Sequence, residues 1–504
     1  MKSNTPFYKI TLVSAAFIFM LISTEGAVPF AYITNSGDGT VTAIDTANNS
    51  VRDTVKVGSY PAGVAATLDG TMSNARDEIW INEELNKNIG GKYTIPPGTY
   101  TINGQITIPK NTVLQGTVSE SGKLLSTIYI ADNYPAIEQE AIIKGLSGCK
   151  ILYMNFNGNS EHQGNVPTKN GKQWGQGYEN FIGFNSENDI EVAYCNLYNN
   201  LGDGLRAVNS KNIHFHHNTA SKGGHDVFFA IRSEGVRVHD NYIQPRINSA
   251  IRLMDVNHAR IYSNTIWYVP EYNRIRYDAG PSLQIQHDIG MMSDIEVCDN
   301  VVYDSRGPGL WLVGKTSGNE ELWLHHNVFY RSGSNPCIYW IGGIIASGYT
   351  NAKIENNVFD GSYLGALVYY AVNPEWATSA YDELNANVLT DSVAGTYNNT
   401  GGYGILNQIR EQKIASSKNC FYHNQAGDTK GCYTSSSDLS INPRTAVTPS
   451  GWTWNGTNWI YPGIKPSEME KIRGFGSVYV TLNNITKEDI EKFEFLNYFG
   501  ILNT

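Results

Sequence analysis

The 504-residue sequence has few charged residues, few cysteines and a single long apolar run. Charged residues make up 17% of it and hydrophobic residues 41%, as in a folded protein, while 49 Gly and 31 Tyr favour strands and turns over helices. The formal net charge of −10 argues against a nucleic-acid-binding surface, so we expect no nucleic-acid partner. A chain of this length would split into compact domains unless it is an elongated repeat protein.

Six cysteines in so long a chain are too few for a disulfide scaffold. Cys195 and Cys298 stand inside strand-like runs and are predicted to be small core residues, whereas Cys420 and Cys432 flank a loop-like segment and could pair. No cysteine or histidine cluster has convincing zinc spacing. The nearest is HFHH at 214–217, whose strand context indicates alternating surface and core histidines. We therefore predict no structural metal.

The apolar run TLVSAAFIFMLIS follows Lys2 and Lys9 and precedes Gly26 and Ala27. It is too short for a typical membrane span, and its arrangement predicts a secretory signal over residues 1–27. The alternative is an uncleaved N-terminal anchor. In both cases the rest of the chain is expected outside the cell, either secreted or at the cell surface.

One pattern recurs along the chain: apolar-x-apolar-x-x-Asn-x-apolar, as in IEVAYCNLY, IHFHHNTA and VRVHDNYI. The basal period near 22, with insertions at particular repeats, predicts a mostly β fold, a right-handed single-stranded parallel β-helix with loop insertions. The Leu-x-x-Leu-x-Leu spine of leucine-rich solenoids is absent. Stacked coils would place the shared asparagines one above another, with their amides bonding from coil to coil. These asparagines are Asn155, Asn196, Asn218, Asn241, Asn264, Asn300, Asn327 and Asn357.

The remaining sequence divides around this β-helix, which we predict over residues 76–430. Its beginning, YTIPPGTYTINGQITIPKNTVLQG, resembles the first coils of pectate-lyase-like β-helix proteins. Residues 28–75 resemble one YVTN surface-layer repeat, through YITN at 32–35 and the turn GDGTV. Such repeats form the blades of β-propellers. Because one blade cannot close a propeller, we expect these residues to form a small β appendage. Residues 431–504 are predicted to be a turn-rich C-terminal segment, with a short helix at TKEDIEKF capped by Thr486.

Aligning the strand that follows each asparagine places a column of outward-facing side chains between two inward-facing positions. Just before this strand, Asp203 and Asp226 occupy equivalent places in successive coils, and coils are about 4.8 Å apart, so the two carboxyl groups should be close. The inward positions are Leu205, Phe228, Ile251, Leu283 and Leu310, then Ala207, Ala230, Leu253, Ile285 and Leu312. The outward column is Arg206, Phe229, Arg252, Gln284 and Trp311.

Such a column on a β-helix is usually solvated surface, but several features converge here and favour a groove. Nine of the eleven histidines lie between residues 214 and 326. The insertion IWYVPEYNRIRYDAGPS adds a wall, and a second insertion over 157–180 could close the other end with Trp174 and Tyr178. Aromatic rings and arginines would suit an extended acidic carbohydrate. The first insertion contributes Trp267, Tyr268, Tyr272, Arg274, Arg276, Tyr277 and Asp278.

The coils centred on NNLGDGLRAVNSKNIHFHHNTASKGGHDVFFAIRSEGVRVHDNYI resemble the archaeal disaggregatase-related family, over about residues 90–430. The YVTN-like repeat fits the same setting, since both modules occur in archaeal cell-surface proteins. The resemblance implies an enzyme that depolymerises methanochondroitin, a matrix polysaccharide of uronic acid and galactosamine, so that aggregated cells separate. Its partners would be this polysaccharide and the cell wall or surface layer. The C-terminal repeat module familiar in disaggregatases is not evident in this sequence.

Two chemistries could use the same groove. In hydrolysis, Asp203 and Asp226 would act as acid and as base or nucleophile, with His225 assisting protonation. In β-elimination, Arg206 and Arg252 would neutralise a uronate carboxylate, and His225 or an arginine of the insertion would remove the C5 proton. Calcium could replace the arginines with the two aspartates as ligands; otherwise we expect no cofactor. The carboxylate pair slightly favours hydrolysis.

We therefore expect a polysaccharide-degrading enzyme, and a non-catalytic surface or adhesion protein is the alternative from another class. An epimerase on the same scaffold has no distinctive signature here. The predicted catalytic residues are Asp226, Asp203, His225 and Arg252. The predicted substrate-binding residues are Arg206, Phe229, Arg232, Asp255, Arg274, Arg276, Gln284, His287 and Trp311.

Overall fold

The computed structural model describes most of the chain between residues 30 and 461. The described residues are 30–35, 40–45, 50–56, 77–135, 140–163, 179–200, 202–244, 248–267, 280–289, 292–314, 321–335, 341–347, 352–370, 381–396, 399–409 and 412–461. None of the helices found in these ranges combines the length and apolar character needed to cross a membrane. The predicted signal at 1–27 and the predicted helix at Thr486 lie outside these residues.

Three long parallel sheets run the length of the molecule, because each turn of the chain adds one strand to each sheet. Sheet 1 contains β4 (Lys92–Ile95), β7 (Val113–Gly116), β10 (Lys150–Leu152), β13 (Asn188–Ala193), β16 (Lys211–His216), β19 (Glu234–His239), β22 (Asn257–Tyr262), β25 (Ser293–Cys298), β28 (Leu322–His325), β31 (Ala352–Glu355), β34 (Tyr381–Asn385) and β37 (Lys413–Ser417). Sheet 2 contains β5 (Gly98–Ile102), β8 (Ser126–Ile130), β11 (Asn155–Asn157), β14 (Asn196–Tyr198), β17 (Thr219–Ser221), β20 (Tyr242–Gln244), β23 (Thr265–Trp267), β26 (Val301–Tyr303), β29 (Val328–Tyr330), β32 (Val358–Asp360), β35 (Val388–Thr390), β38 (Cys420–Tyr422) and β40 (Leu439–Ser440). Sheet 3 contains β6 (Ile106–Ile108), β9 (Glu140–Gly145), β12 (Glu179–Asn185), β15 (Asp203–Val208), β18 (Phe228–Ile231), β21 (Ile251–Met254), β24 (Leu283–His287), β27 (Leu310–Gly314), β30 (Ile344–Ser347), β33 (Gly365–Tyr369), β36 (Tyr403–Asn407) and β39 (Gly427–Lys430). The predicted mostly β, parallel β-helix fold is confirmed.

Short elements flank these sheets. Strands β1 (Phe30–Asn35), β2 (Thr40–Asp45) and β3 (Ser50–Lys56) form a separate antiparallel sheet within the segment that resembles a YVTN repeat. Helix α1 (Asp77–Lys87) precedes the first coil, and a 3₁₀ turn spans Ser160–His162. Strands β41 (Thr453–Trp454) and β42 (Trp459–Ile460) pair as an antiparallel hairpin.

Helix α1 lies against the first coil and covers part of its apolar interior. Ile81 and Leu85 are fully buried in the main core cluster. Acidic and amide side chains of the helix also accept hydrogen bonds from strand backbone; for example, the Thr101 amide donates to Asp77 Oδ2 over 2.7 Å. Such an end helix satisfies backbone groups that a further coil would otherwise pair with.

The interior is filled by the residues that the strand alignment placed inward. Leu205, Phe228, Ile251, Leu283 and Leu310 stand next to one another in register across sheet 3. All five are fully buried, as are the predicted inward residues two positions further along each strand. The predicted register of these five coils is therefore confirmed.

A ladder of buried asparagines follows the turn between sheets 1 and 2. Each Nδ2 donates to the Oδ1 of the asparagine in the next coil, as from Asn264 to Asn300 and from Asn300 to Asn327, both over 2.9 Å. The same Oδ1 also accepts a hydrogen bond from the backbone amide of the asparagine in the preceding coil. One oxygen thus satisfies both the side-chain and the backbone donor of that asparagine at a buried turn. The ladder comprises Asn218, Asn241, Asn264, Asn300, Asn327, Asn357, Asn387 and Asn419.

Two of the predicted ladder positions are wrong by one residue. Asn155 and Asn196 pair in register with Thr219, so they stand one position after the ladder. Cys195 occupies the ladder position in its coil, where its backbone amide donates to Asn218 Oδ1 over 2.9 Å and its thiol, in place of a side-chain amide, donates to Ala193 O over 3.2 Å. Asn387 and Asn419, which the pattern missed, extend the ladder in the other direction.

Among the described cysteines, Cys149, Cys195, Cys420 and Cys432 form no disulfide. Cys195 belongs to the main core cluster, as predicted, whereas Cys298 is buried beside Tyr262 on the outer face of sheet 1, so its prediction as a core residue is wrong. Cys420 and Cys432 are both free thiols, so the suggested pairing of these two residues is wrong. Cys420 belongs instead to a buried cluster beneath Trp452 and Trp459.

Residues 431–461 remain attached to the β-helix, although the sequence placed them in a separate segment. Strand β40 extends sheet 2, and Asp438 Oδ1 accepts both the backbone and the side-chain amide of Asn419, which ends the asparagine ladder. The chain then crosses the outside of sheet 2. There the Trp459 indole donates to Asp360 Oδ2 over 2.9 Å, and Arg444 bonds to Asp360 and Asp391.

Replacing Asn300 by Ala should lower the free energy of unfolding by at least about 2 kcal/mol, because the carbonyl groups of Ile261 and Cys298 lose buried donors. Urea denaturation followed by circular dichroism would measure the change. The matched control is Asn155→Ala, which removes a half-buried asparagine outside the ladder and should cost less than about 1 kcal/mol. Equal losses in the two variants would contradict a stabilising role for the ladder.

Candidate functional site

The candidate site lies on the outer face of sheet 3, where the predicted column is present. Arg206, Phe229, Arg252, Gln284 and Trp311 are paired in register on five successive strands. The Phe229 ring is buried between two guanidinium groups, whose central carbons lie 5.1 Å (Arg206) and 4.5 Å (Arg252) from its centre. These cation–π contacts fix both arginines above the sheet.

His225 lies between two aspartates at the start of these strands. Its Nδ1 is 2.6 Å from Oδ1 of Asp203 and 3.3 Å from Oδ2 of Asp226. The ring is 9% exposed, whereas the exposure of both aspartate side chains is 0%. The predicted closeness of the carboxyl groups is confirmed: the donor atoms of the three residues all lie within 4.8 Å of one another.

Each of the two arginines pairs with one of these carboxylates. Arg206 Nη1 lies 3.3 Å from Asp203 Oδ2, and Arg252 Nη1 lies 3.5 Å from Asp226 Oδ2. Their side chains are 15% and 16% exposed, so each arginine contacts a buried carboxylate and is also partly exposed to solvent. The buried carboxylates are thereby paired, as buried charges must be.

Burial and charge act in opposite directions on the pKa values of these groups. Burial alone would raise the pKa of Asp203, but His225 and Arg206 hold it below its usual range. For Asp226, burial prevails and keeps the pKa above its usual range. Burial would lower the pKa of His225, yet the charges of Asp226 and Asp203 raise it above the usual 6.5. Charge interactions therefore outweigh burial in setting the pKa values of His225 and Asp203, whereas burial outweighs them for Asp226.

Three further residues support the cluster and were not found from the sequence. Asn248 Nδ2 lies 3.2 Å from His225 Nε2, and the Ser249 amide donates to Asp226 Oδ1 over 2.9 Å. Gln286 Oε1 accepts from Arg252 Nη2 over 2.7 Å. The alignment of the coils could have identified Asn248 and Ser249, because in the next coil they occupy the positions of His225 and Asp226.

A pocket of about 360 Å³ opens beside this cluster. Six of the thirteen predicted site residues border it, including Arg232 and Asp255 at the ends of β18 and β21. Both have left-handed backbone, at φ 46° and 52°. Asp255 Oδ1 also accepts a hydrogen bond from the Asp288 backbone amide over 2.7 Å, which fixes the position of Asp288 at the edge of the pocket. The lining residues are Arg206, His225, Phe229, Ile231, Arg232, Arg252, Met254, Asp255, Asp288 and Ile289.

The remaining predicted substrate-binding residues do not line this pocket. Gln284 is buried beneath it, accepts from Ser249 Oγ over 3.1 Å and donates to Gln286. His287 is buried at the end of β24. Trp311 packs against a separate apolar cluster that contains Ile341 and Ile345. Arg274 and Arg276 lie outside the described residues, as do Trp174, Tyr178 and most of the predicted wall.

The donor set of Asp203, His225 and Asp226 does not suit calcium. Ca²⁺ takes six to eight oxygen ligands. Here two carboxylates converge, each already in contact with an arginine, and the third donor is an imidazole nitrogen.

The histidines of HFHH differ from their prediction. Phe215 faces the core, while His214 and His216 both face outward from sheet 1; His216 is nevertheless buried. His216 stacks on His239 of the next coil, with ring centres 5.0 Å apart, and His239 stacks on Tyr262. Burial lowers the pKa of His214 and of His239 to about 2, so both rings are neutral.

Comparison with known proteins connects this fold to one family. The family profile described as "Disaggregatase related" matches residues 292–462. Residues 292–462 are thus similar to this family. The resemblance predicted from the sequence is confirmed, although the matched region begins later and extends past residue 430 to residue 462. A profile for the right-handed β-helix region matches residues 180–359, which confirms the handedness of the fold. The candidate site lies before the disaggregatase-related region and inside the β-helix match.

Solved structures with similar coils share little sequence with this chain. The A-module of a mannuronan C-5 epimerase from Azotobacter vinelandii is 14% identical, with 72% of this chain and 93% of that chain covered and a TM-score of 0.49. An exopolygalacturonase from Thermotoga maritima is 12% identical, with 70% and 87% covered and a TM-score of 0.41. Gene product 12 of bacteriophage phi29 is 13% identical, with 69% and 48% covered and a TM-score of 0.50. No curated protein sequence gives a match. At this identity the last likeness shows the β-helix fold alone.

Replacing His225 by Gln should destabilise the fold by on the order of 3 kcal/mol below about pH 6, because two buried carboxyl groups lose their shared cation. A histidine whose pKa is raised on folding stabilises fully below its unfolded value of 6.5, and this stabilisation is lost as the pH rises through the folded value. The difference between wild type and variant should therefore shrink above pH 6.5. Urea midpoints measured across this range test it.

The matched control for this prediction is His258→Gln. His258 is 57% exposed and pairs with Asp294 at the surface of sheet 1, so its loss should cost less than about 1 kcal/mol. A difference for His225→Gln that stays constant with pH would show that the ring contributes by packing and not by charge.

Proposed function

We propose that this protein is a polysaccharide-degrading enzyme, secreted or at the cell surface, that cleaves a uronic-acid-containing matrix polysaccharide of the methanochondroitin type and so disperses cell aggregates. The observation that carries the proposal is the pocket in which His225, Arg206 and Arg252 stand above two buried carboxylates. The disaggregatase-related match of residues 292–462 supports the same class of substrate. Association with a cell wall or surface layer remains part of this proposal.

The arginines support an acidic substrate. Each guanidinium is fixed against Phe229 and keeps part of its surface towards the pocket. A planar guanidinium binds a carboxylate through two parallel hydrogen bonds. A uronate bound between Arg206 and Arg252 would have its carboxylate charge neutralised, which acidifies the proton on the neighbouring C5.

The burial of the aspartates favours β-elimination over hydrolysis. A glycosidase needs carboxyl groups that touch the glycosidic oxygen and the anomeric carbon. Asp203 and Asp226 have no exposed surface, whereas His225 reaches the pocket. In the elimination, neutral His225 removes the C5 proton, the C4–O4 bond breaks, a C4=C5 bond forms and the leaving oxygen takes a proton from water.

The two aspartates then act as positioning residues. Their charges raise the pKa of His225 and make its neutral form a stronger base. Their contacts with Nδ1 direct Nε2 away from the two carboxylates and towards Asn248. The rate of elimination should therefore rise as the pH passes above 6.5.

Hydrolysis is the second candidate, and a specific observation favours it. The raised pKa of Asp226 and the short distance between the two carboxyl groups are features of a retaining glycosidase pair. This chemistry would require Arg252 and His225 to move aside when substrate binds.

The two chemistries give different products from the same polymer. We expect the purified protein to release reducing ends from uronate-containing matrix polysaccharide together with the ultraviolet absorbance of an unsaturated uronate. His225→Gln should reduce the rate by a factor of about 10² to 10⁴, since the proton acceptor is lost. The exposed His258→Gln variant should retain activity, because it lies on another sheet.

Other outcomes separate the alternatives. Reducing ends without the absorbance would indicate hydrolysis, and Asp226→Asn should then abolish cleavage at every pH. Under elimination, Asp226→Asn should instead shift the pH profile of the rate towards lower pH. If wild type cleaved no uronate polymer, a non-catalytic surface or adhesion protein would be the better interpretation.

Arg252→Lys should weaken the binding of a uronate oligosaccharide at least about tenfold, because lysine keeps the charge beside Asp226 but cannot form two parallel bonds. Isothermal titration calorimetry would measure the affinity. Arg331→Lys is the control, since Arg331 pairs with Asp304 on sheet 2 away from the pocket. Equal affinities of wild type and Arg252→Lys would rule out this arginine as the carboxylate ligand.

A further inference from the structure

A second cluster of chemically active side chains lies on the outer face of sheet 1, on strands β13, β16 and β19. Outward positions are in register across these strands, so that Glu191 stands beside His214, and His216 stands beside His239. The pocket described above lies on sheet 3. This cluster is thus a separate site, and the proposed function does not depend on it.

The imidazole nitrogens of this cluster converge. Nε2 of His214 lies 2.5 Å from Nε2 of His239. Donor atoms of His214, His216 and His239 all lie within 4.8 Å of one another. In such a contact between two neutral imidazoles, one Nε2 donates its proton and the other Nε2 accepts it through its lone pair. A zinc ion with Zn–N distances of about 2.0–2.1 Å would hold tetrahedral ligands roughly 3.3 Å apart. Binding therefore requires the two Nε2 atoms to separate and the stacked rings of His216 and His239 to tilt towards one ion.

Neighbouring side chains orient the rings as ligands. His239 Nδ1 lies 2.7 Å from Asp240 Oδ2, which places the proton on Nδ1 and leaves the Nε2 lone pair towards the cluster. A carboxylate on the second nitrogen is the usual partner of a metal-bound histidine. Glu191 is held at Oε2 by Lys150 over 2.6 Å, and its Oε1 lies 3.3 Å from His216 Nε2.

We propose that His214, His216 and His239 bind one divalent transition-metal ion of the zinc class, with Glu191 beside them as the oxygen donor. Three nitrogens and one carboxylate suit Zn²⁺ and Co²⁺, whereas Ca²⁺ and Mg²⁺ take oxygen ligands. The two carboxylates, Glu191 and Asp240, balance the charge of the ion, and Arg237, the residue next to His214 in register, opposes it. The ion would join successive coils of the β-helix. This inference replaces the expectation from the sequence that the chain has no structural metal.

The test uses the full chain without a histidine tag, stripped of metal by a chelator and dialysed. Zn²⁺ titrated by calorimetry should bind at one ion per chain and raise the thermal midpoint. Co²⁺ should give the visible absorption bands of a four-coordinate site. His214→Asn should weaken Zn²⁺ binding at least tenfold, and Asp240→Asn should weaken it by about 10- to 100-fold by releasing the His239 ring.

Two controls keep the test decisive. His258→Asn, which changes an exposed histidine on neighbouring strand β22, should leave Zn²⁺ affinity unchanged. His214 is only half-buried and Asp240 has left-handed backbone that asparagine tolerates, so both variants should fold even if His239→Asn does not. Equal Zn²⁺ affinity in wild type, His214→Asn and Asp240→Asn, or Co²⁺ spectra without four-coordinate bands, would overturn the proposal.

Discussion

Each coil of this β-helix is held by the hydrogen bonds that it makes to the coil before it, and these bonds fix the register of every outward side chain. The asparagine ladder sets that register at the turns, because each amide must meet both the amide of the next coil and buried carbonyl groups. Residues about 23 positions apart therefore become neighbours. Asp203 and Asp226, and likewise His216 and His239, are brought together by this single constraint.

The pocket on sheet 3 depends on the same stacking for its charge balance. Neither Asp203 nor Asp226 could be buried alone, since an unpaired carboxylate in the interior costs several kcal/mol. Successive coils supply His225, Arg206 and Arg252 to pair with them. Stability and chemistry thus rest on the same contacts, and a substitution in this group is expected to change both.

Much of this arrangement could be predicted because period-2 alternation and a recurring asparagine are local signals. The column from Arg206 to Trp311 follows from them directly. The pattern was wrong at Asn196, where the neighbouring Cys195 takes the ladder position. It also missed Asn419, because the strand before it, Lys413–Ser417, has only one large apolar residue, Ile414. The full burial of Asp226 could not be read from sequence, because an aspartate before a strand is ordinarily a solvated turn residue.

The segment that crosses sheet 2 after residue 440 also bears on how the chain folds. Stacked coils involve contacts between residues separated by one repeat, so they can form progressively along the chain. Arg444 and Trp459 instead contact Asp360 across 84 and 99 residues, and the Trp459 amide contacts Tyr330 across 129. Closing loops of that length carries a larger entropic cost, so this segment is expected to dock only after the coils beneath it have formed. The C-terminal end of the solenoid would then unfold as one cooperative block and not fray coil by coil.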